Sequence, residues 1–173
     1  HSSACASPTL AIDEDGHAHV ACGMYHWMYK TEYWTNASGR WLKTSLPPGG
    51  DGGPATLALA ADGTPHVVYI SYPSGHYFHA VAKDEGWSIS QLPDPPAHEN
   101  LPAIAFDPAG QLWVAFMHKL PAGSRALSLG RIDQAGQWTR IDFEQHDHAA
   151  FVGGIAIDNR GTVHVTYTGE YTN

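Results

Sequence analysis

One pattern occurs four times in this chain: an apolar run, a turn that closes on glycine, and a second apolar run. Its fullest copy is LPAIAFDPAGQLWVAF, from Leu101 to Phe116. The others are SPTLAIDEDGHAHVAC from Ser7, PATLALAADGTPHVVY from Pro54 and GGIAIDNRGTVHVTY from Gly153. The turn glycines Gly16, Gly63, Gly110 and Gly161 fall 47, 47 and 51 residues apart. A spacing of that length marks a repeat architecture rather than one irregular domain.

Within each copy the local chemistry favours a hairpin. The residue three before the glycine is Asp13, Ala60, Asp107 or Asp158, so three of the four turns carry a carboxylate able to accept bonds from the turn backbone, while the glycine takes the positive φ. Three residues after the glycine stand His19, His66, Trp113 and His164. Next come Val20, Val67, Val114 and Val165, and two further on Cys22, Tyr69, Phe116 and Tyr167. Alternation of period two sends the valine and the aromatic to one face and the histidine or tryptophan to the other. Bulk on both faces is what stacked blades require. For His19, His66 and His164 the repetition predicts a hydrogen-bonded side chain between blades.

After each of the first three hairpins come two further strand patterns, the last opening on Trp41, Trp87 or Trp138. Four strands in ~40 to 50 residues is the propeller blade. The expected fold is therefore all-β, one partial β-propeller over residues 1–173. Its blades fall near 7–47, 54–93, 101–143 and 153–173, the last incomplete. The segments His1–Ala6 and Pro47–Pro54 are expected to be loops. About three and a half blades do not close a ring, so the remaining blades of a longer chain, or a second chain, are expected as partners.

Composition narrows the function classes. Seventeen Asp and Glu against nine Lys and Arg give a formal charge of −8, which leaves no basic surface for a nucleic-acid backbone. No apolar run approaches the ~20 residues of a membrane span, and no signal-peptide pattern is present. Cys5 and Cys22 fit one disulfide or two free thiols equally well. No nucleophile elbow, phosphate-binding loop, zinc-protease or paired-cysteine motif occurs, and no cofactor is expected.

In a propeller the linkers between blades and the loops after second strands share one end, the usual place for a ligand. That end should receive the ligand-binding candidates His26, Trp27, Tyr72, His76 and Lys119. His98 enters the third blade and His118 leaves its second strand, so two imidazoles suited to proton transfer or metal binding flank one hairpin. The alternative for both is a solvated loop histidine. His146 and His148, beside Glu144 and Asp147, are a candidate metal pair without a third ligand fixed by spacing; a polar loop is the leading reading there.

The unit, proline then an apolar-Ala-apolar-Asp run, the turn glycine, His-Val, an aromatic and a later Gly-Trp, resembles the BNR-like repeats of the sialidase-type propeller superfamily. With His98-Glu99-Asn100-Leu101-Pro102 and Phe116-Met117-His118 it is most similar to a histidine-bearing branch that includes secreted polysaccharide lyases. The resemblance implies a secreted or cell-surface protein acting on glycan. It implies catalytic roles for His98 and His118, with Arg125 and Tyr171 as the arginine and tyrosine. The sialidase signature S-x-D-x-G-x-T-W is absent, so a lyase is expected before a sialidase. The leading expectation is a module that binds carbohydrate or serves as an interaction scaffold; the alternative is a fragment of a glycan-active enzyme using the loop histidines.

Overall fold

A computed structural model of the chain describes residues 4–25, 30–46, 52–71, 74–93, 101–119, 125–142 and 149–169. They form strands and turns. The first sheet runs in the order β1 (Ala4–Ile12), β2 (Ala18–Tyr25), β3 (Lys30–Thr35), β4 (Leu42–Leu46). The second runs β5 (Gly52–Leu59), β6 (Pro65–Ser71), β7 (His76–Lys83), β8 (Gly86–Gln91), and the third β9 (Ala103–Phe106), β10 (Leu112–Lys119), β11 (Arg125–Ile132), β12 (Trp138–Asp142). The fourth holds β13 (Ala149–Ile157) and β14 (Val163–Gly169). Every strand pair is antiparallel. No helix among the described residues is long and apolar enough to cross a membrane.

The four repeated turns are superimposable in their hydrogen bonds. Gly16, Gly63, Gly110 and Gly161 donate to the carbonyls of Asp13, Ala60, Asp107 and Asp158 at 2.9–3.0 Å, and each of those residues donates in turn to the residue after the glycine. The glycine φ values of 75–84° lie in the left-handed region, where a side chain would be strained. Where the aspartate is present, one carboxylate oxygen also takes the backbone N–H just past the glycine, from His17 at 2.7 Å, Gln111 at 2.9 Å and Thr162 at 2.8 Å.

The chain divides into two compact units, His1–Leu92 and Pro93–Asn173. In the first, one face of the first sheet meets one face of the second: Ala21, Tyr33 and Leu46 are buried together with Ala55, Leu57, Val67, Tyr69 and Ala80. Tyr33 meets the ring of Trp87 edge-on, with centroids 4.9 Å apart. In the second unit Met117 and Leu127 of the third sheet pack against Val152 and Val165 of the fourth. Val67, Val68, Tyr69 and Ile70 are all fully buried although successive residues point to opposite faces, so β6 has the two buried faces that the doubled pattern predicts.

The strands reach further than the sequence suggests. β1 begins at Ala4 rather than after Ala6, because Ala4, Cys5 and Ala6 pair with Tyr25, Met24 and Gly23. A disulfide joins Cys5 to Cys22, with Cα atoms 5.7 Å apart, so the two cysteines are bonded. β5 likewise starts at Gly52, inside the stretch expected to be a loop.

Candidate functional site

The functional residues expected on loops are in part strand residues. β10 extends through His118 to Lys119, and β11 opens at Arg125, so Lys119 and Arg125 stand directly opposite each other at the end of the third sheet. His118 occupies the next pair inward, across from Ala126. Three of the residues proposed from sequence are thereby brought to one hairpin end. His118 is not a solvated loop side chain: only 5% of its surface is exposed.

Its bonding follows from donor chemistry. Arg140 on β12 reaches the ring with Nη2 at 2.7 Å from Nε2, and Ser128 Oγ on β11 lies 3.1 Å from Nδ1. A guanidinium only donates, so Nε2 accepts; the ring proton then sits on Nδ1 and is donated to the serine oxygen. Phe116 and Trp138 share this face, their ring centroids 5.9 Å apart. Trp138 occupies the space over Gly130, where a Cβ would stand 1.7 Å from the indole. Both nitrogens of His118 are thus engaged in a wall of the blade.

Of the other candidates, His76 is the first residue of β7, opposite Ser71, and is partly buried. His98, Tyr171, His26, Trp27, Tyr72, His146 and His148 lie outside the described residues. Among the described residues no group of three or more His, Cys, Asp or Glu is arranged to hold a metal ion.

The repeated histidines belong to a different system, at the opposite end of the strands. His19 Nε2 donates to Asp13 Oδ2 at 3.2 Å, and the Tyr33 hydroxyl donates to its Nδ1 at 2.5 Å. Trp113, the one substitution in the series, keeps the same bond: its Nε1 donates to Asp107 Oδ2 at 2.9 Å. His164 stands 4.0 Å from Asp158. In the second sheet Ala60 offers no carboxylate, and His66 instead shares a hydrogen bond with His79, Nδ1 to Nε2 at 2.9 Å. The expected hydrogen bonding holds for His19 and His66, with these partners in the same sheet rather than in the next blade, whereas His164 stands beyond hydrogen-bond distance of Asp158. Burial alone would raise the Asp13 pKa; bonds from the His17 backbone and from the His19 and His17 rings outweigh it and hold the group at about 2. Asp107→Ala removes bonds from Ala109, Gln111 and Trp113 together. It is expected to lower stability by about 2 kcal/mol, read from urea unfolding.

Sequence reasoning missed Arg140, Ser128, His79 and Tyr33. Each sits on a third or fourth strand, and only the cross-strand register identifies it as a partner of a residue on the second. The usable signal was the paired placement of polar residues in the outer strands: Lys43 and Glu32 of the first sheet, ion-paired at 3.2 Å, hold the register positions that Arg140 and Ser128 hold in the third.

No protein-family model and no curated protein matches the sequence. Solved structures do match in fold. A fucose lectin from Kordia zhangzhouensis, in complex with methyl-fucoside, is similar at TM-score 0.55 and 14% identity, over 80% of this chain and 100% of that one. A protein of unknown function from Dyadobacter fermentans is similar at TM-score 0.67 and 13% identity, over 95% of this chain and 62% of that one. A GH43 β-1,3-galactosidase with galactodeoxynojirimycin gives TM-score 0.59 and 10% identity, over 96% of this chain and 76% of that one. With its four-stranded antiparallel sheets in series, the chain has the β-propeller fold, with about three and a half blades present.

Proposed function

We propose that this chain is a carbohydrate-binding propeller module of the BNR-like kind, secreted or on the cell surface, that takes an acidic glycan where β10 turns into β11. The observation that carries this reading is the register of that hairpin, which opposes Lys119 to Arg125. Like charges at directly opposed strand positions repel, an anion bound there would relieve that repulsion, and the chain has only nine Lys and Arg in all. A uronate carboxylate supplies that anion. The disulfide between Cys5 and Cys22 suits an oxidising compartment. The likeness in fold to a lectin and a galactosidase supports a glycan as ligand, although fold alone carries no chemistry.

His118 favours binding over catalysis. With Nε2 accepting from Arg140 and Nδ1 donating to Ser128, the ring has no lone pair directed at a substrate. The lyase-like alternative, with His98, Arg125 and Tyr171 beside His118, requires Arg140 to leave first. A glycan array that includes uronate polysaccharides, followed by assay for unsaturated products, tests both readings. Binding to uronate glycans without product is expected. Product formation that is lost in His118→Ala would favour the enzyme, and absence of binding to every glycan would remove both.

A further inference from the structure

The two faces of the first sheet are unequally covered. One carries Ala21 and Tyr33, buried against the second sheet. The other carries Leu10, Ile12 and Trp41, which are 64%, 56% and 55% exposed. Along this open face the register sets Leu10, Val20, Trp34 and Lys43 side by side, one from each strand. The row with the same place in the second sheet is Leu57, Val67, Ala80 and Ile89. There the first three are 7%, 0% and 0% exposed. Trp87, which holds the place of Trp41, packs edge-on against Tyr33. Leu10 and Trp41 are exposed where Leu57 and Trp87 are packed, while Val20 and Trp34 are half-buried and the Lys43 ammonium, in the place of Ile89, lies 5.4 Å from the Trp34 ring.

What covers the row in the second sheet is known: the face of the preceding sheet that bears a small residue on its second strand, Ala21, and an aromatic on its third, Tyr33. We infer that the open face of the first sheet is a blade-docking surface, and that its occupant is the corresponding apolar face of one further four-stranded blade of this same repeat. The surface reproduces the established one in its aliphatic residue on the first strand, its valine on the second and its tryptophan at the start of the fourth. A second copy of the chain fits less well. On the face of the fourth sheet opposite Val165, His164 is 63% exposed in its side chain, and Thr166 and Thr168 are exposed. Three threonine or histidine side chains do not match an aliphatic and indole surface. The inference goes beyond glycan binding and does not depend on it.

The test adds the occupant. A duplicate of residues 1–47 placed ahead of His1 keeps the 47-residue spacing of the turn glycines and presents its own Ala21 and Tyr33 to the open face. The extended protein is expected to melt about 5 °C above the 173-residue chain. The double change Leu10→Glu with Ile12→Glu in the original copy is expected to erase that gain while moving the unextended chain by less than about 1 °C, because both side chains are exposed there. A gain that survives the double change, or no gain at all, would overturn the inference. So would a concentration-dependent dimer of the unextended chain that the double change dissociates, since the face would then belong to a second copy. Protection of Leu10 and Trp41 from hydroxyl-radical labelling by uronate oligosaccharide would overturn it in favour of a sugar platform.

Discussion

Gly23→Ala is expected to destabilise the protein by about 3 kcal/mol, close to the upper end for forcing one methyl group into a packed interior. A Cβ at this position would stand 2.6 Å from the Gly53 carbonyl oxygen, 2.8 Å from its carbon and 2.9 Å from the Pro54 nitrogen. All three are backbone atoms, so no rotamer change relieves the contact. The same carbonyl accepts a hydrogen bond from Thr31 Oγ1 at 3.2 Å, which ties β3 of the first sheet to β5 of the second. Gly23 thus sets how closely two sheets approach. Gly16→Ala provides the comparison: a Cβ there meets nothing within 4 Å, and the cost is only that of φ +84°, about 1 kcal/mol. Urea unfolding of the two variants should separate them clearly. Equal losses would show that the sheets do not approach through Gly23.

Acid should weaken the second sheet over a defined range. Burial, together with mutual repulsion of the charged forms, holds His79 at about 4, and burial holds His66 at about 4 against the pull of Asp62. Unfolded, each would take its proton near 6.5. Between those values the unfolded chain binds more protons than the folded one, so stability is complete above about pH 6.5 and falls as pH drops toward 4. The loss is about 3 kcal/mol from His79, with a smaller further part from His66, discounted for its partial exposure. Asp13 acts elsewhere: its folded pKa of about 2 lies below the ordinary 3.8, so its contribution is lost only as pH falls through that lower range. Urea midpoints from pH 7.5 to 4.5 should therefore decline, and His79→Gln should flatten the decline. A wild-type midpoint that does not move over this interval would contradict the buried histidine pair.

Local rules made the hairpins legible. An aspartate, two turn residues and a glycine specify a reciprocal backbone bond and a positive φ within five residues, and all four turns follow, even the one with Ala60. The strand ends were less legible, because Cys5, Lys119 and Arg125 look like loop residues in composition yet are held by pairing, which needs only backbone. The environment of His118 was legible only through cross-strand register, not from its neighbours in sequence. Its partners Ser128 and Arg140 lie 10 and 22 residues away, and nothing local distinguishes them from any other serine or arginine. The tryptophans make the same point: Trp87 packs against Tyr33 of the neighbouring sheet, Trp138 against Gly130 and Phe116 of its own, and Trp41 is exposed, although all three open equivalent strands.

The central claim is that the end of the third sheet receives an anionic sugar. The direct measurement is calorimetric titration of the intact chain with a uronate oligosaccharide and with a neutral one of equal length, repeated on Arg125→Ala. Saturable binding of the uronate is predicted, weakened about tenfold by Arg125→Ala, a change of about 1.4 kcal/mol, with the neutral sugar bound more weakly by the wild type. Equal affinity for both sugars, or a uronate affinity unchanged in Arg125→Ala, would contradict it.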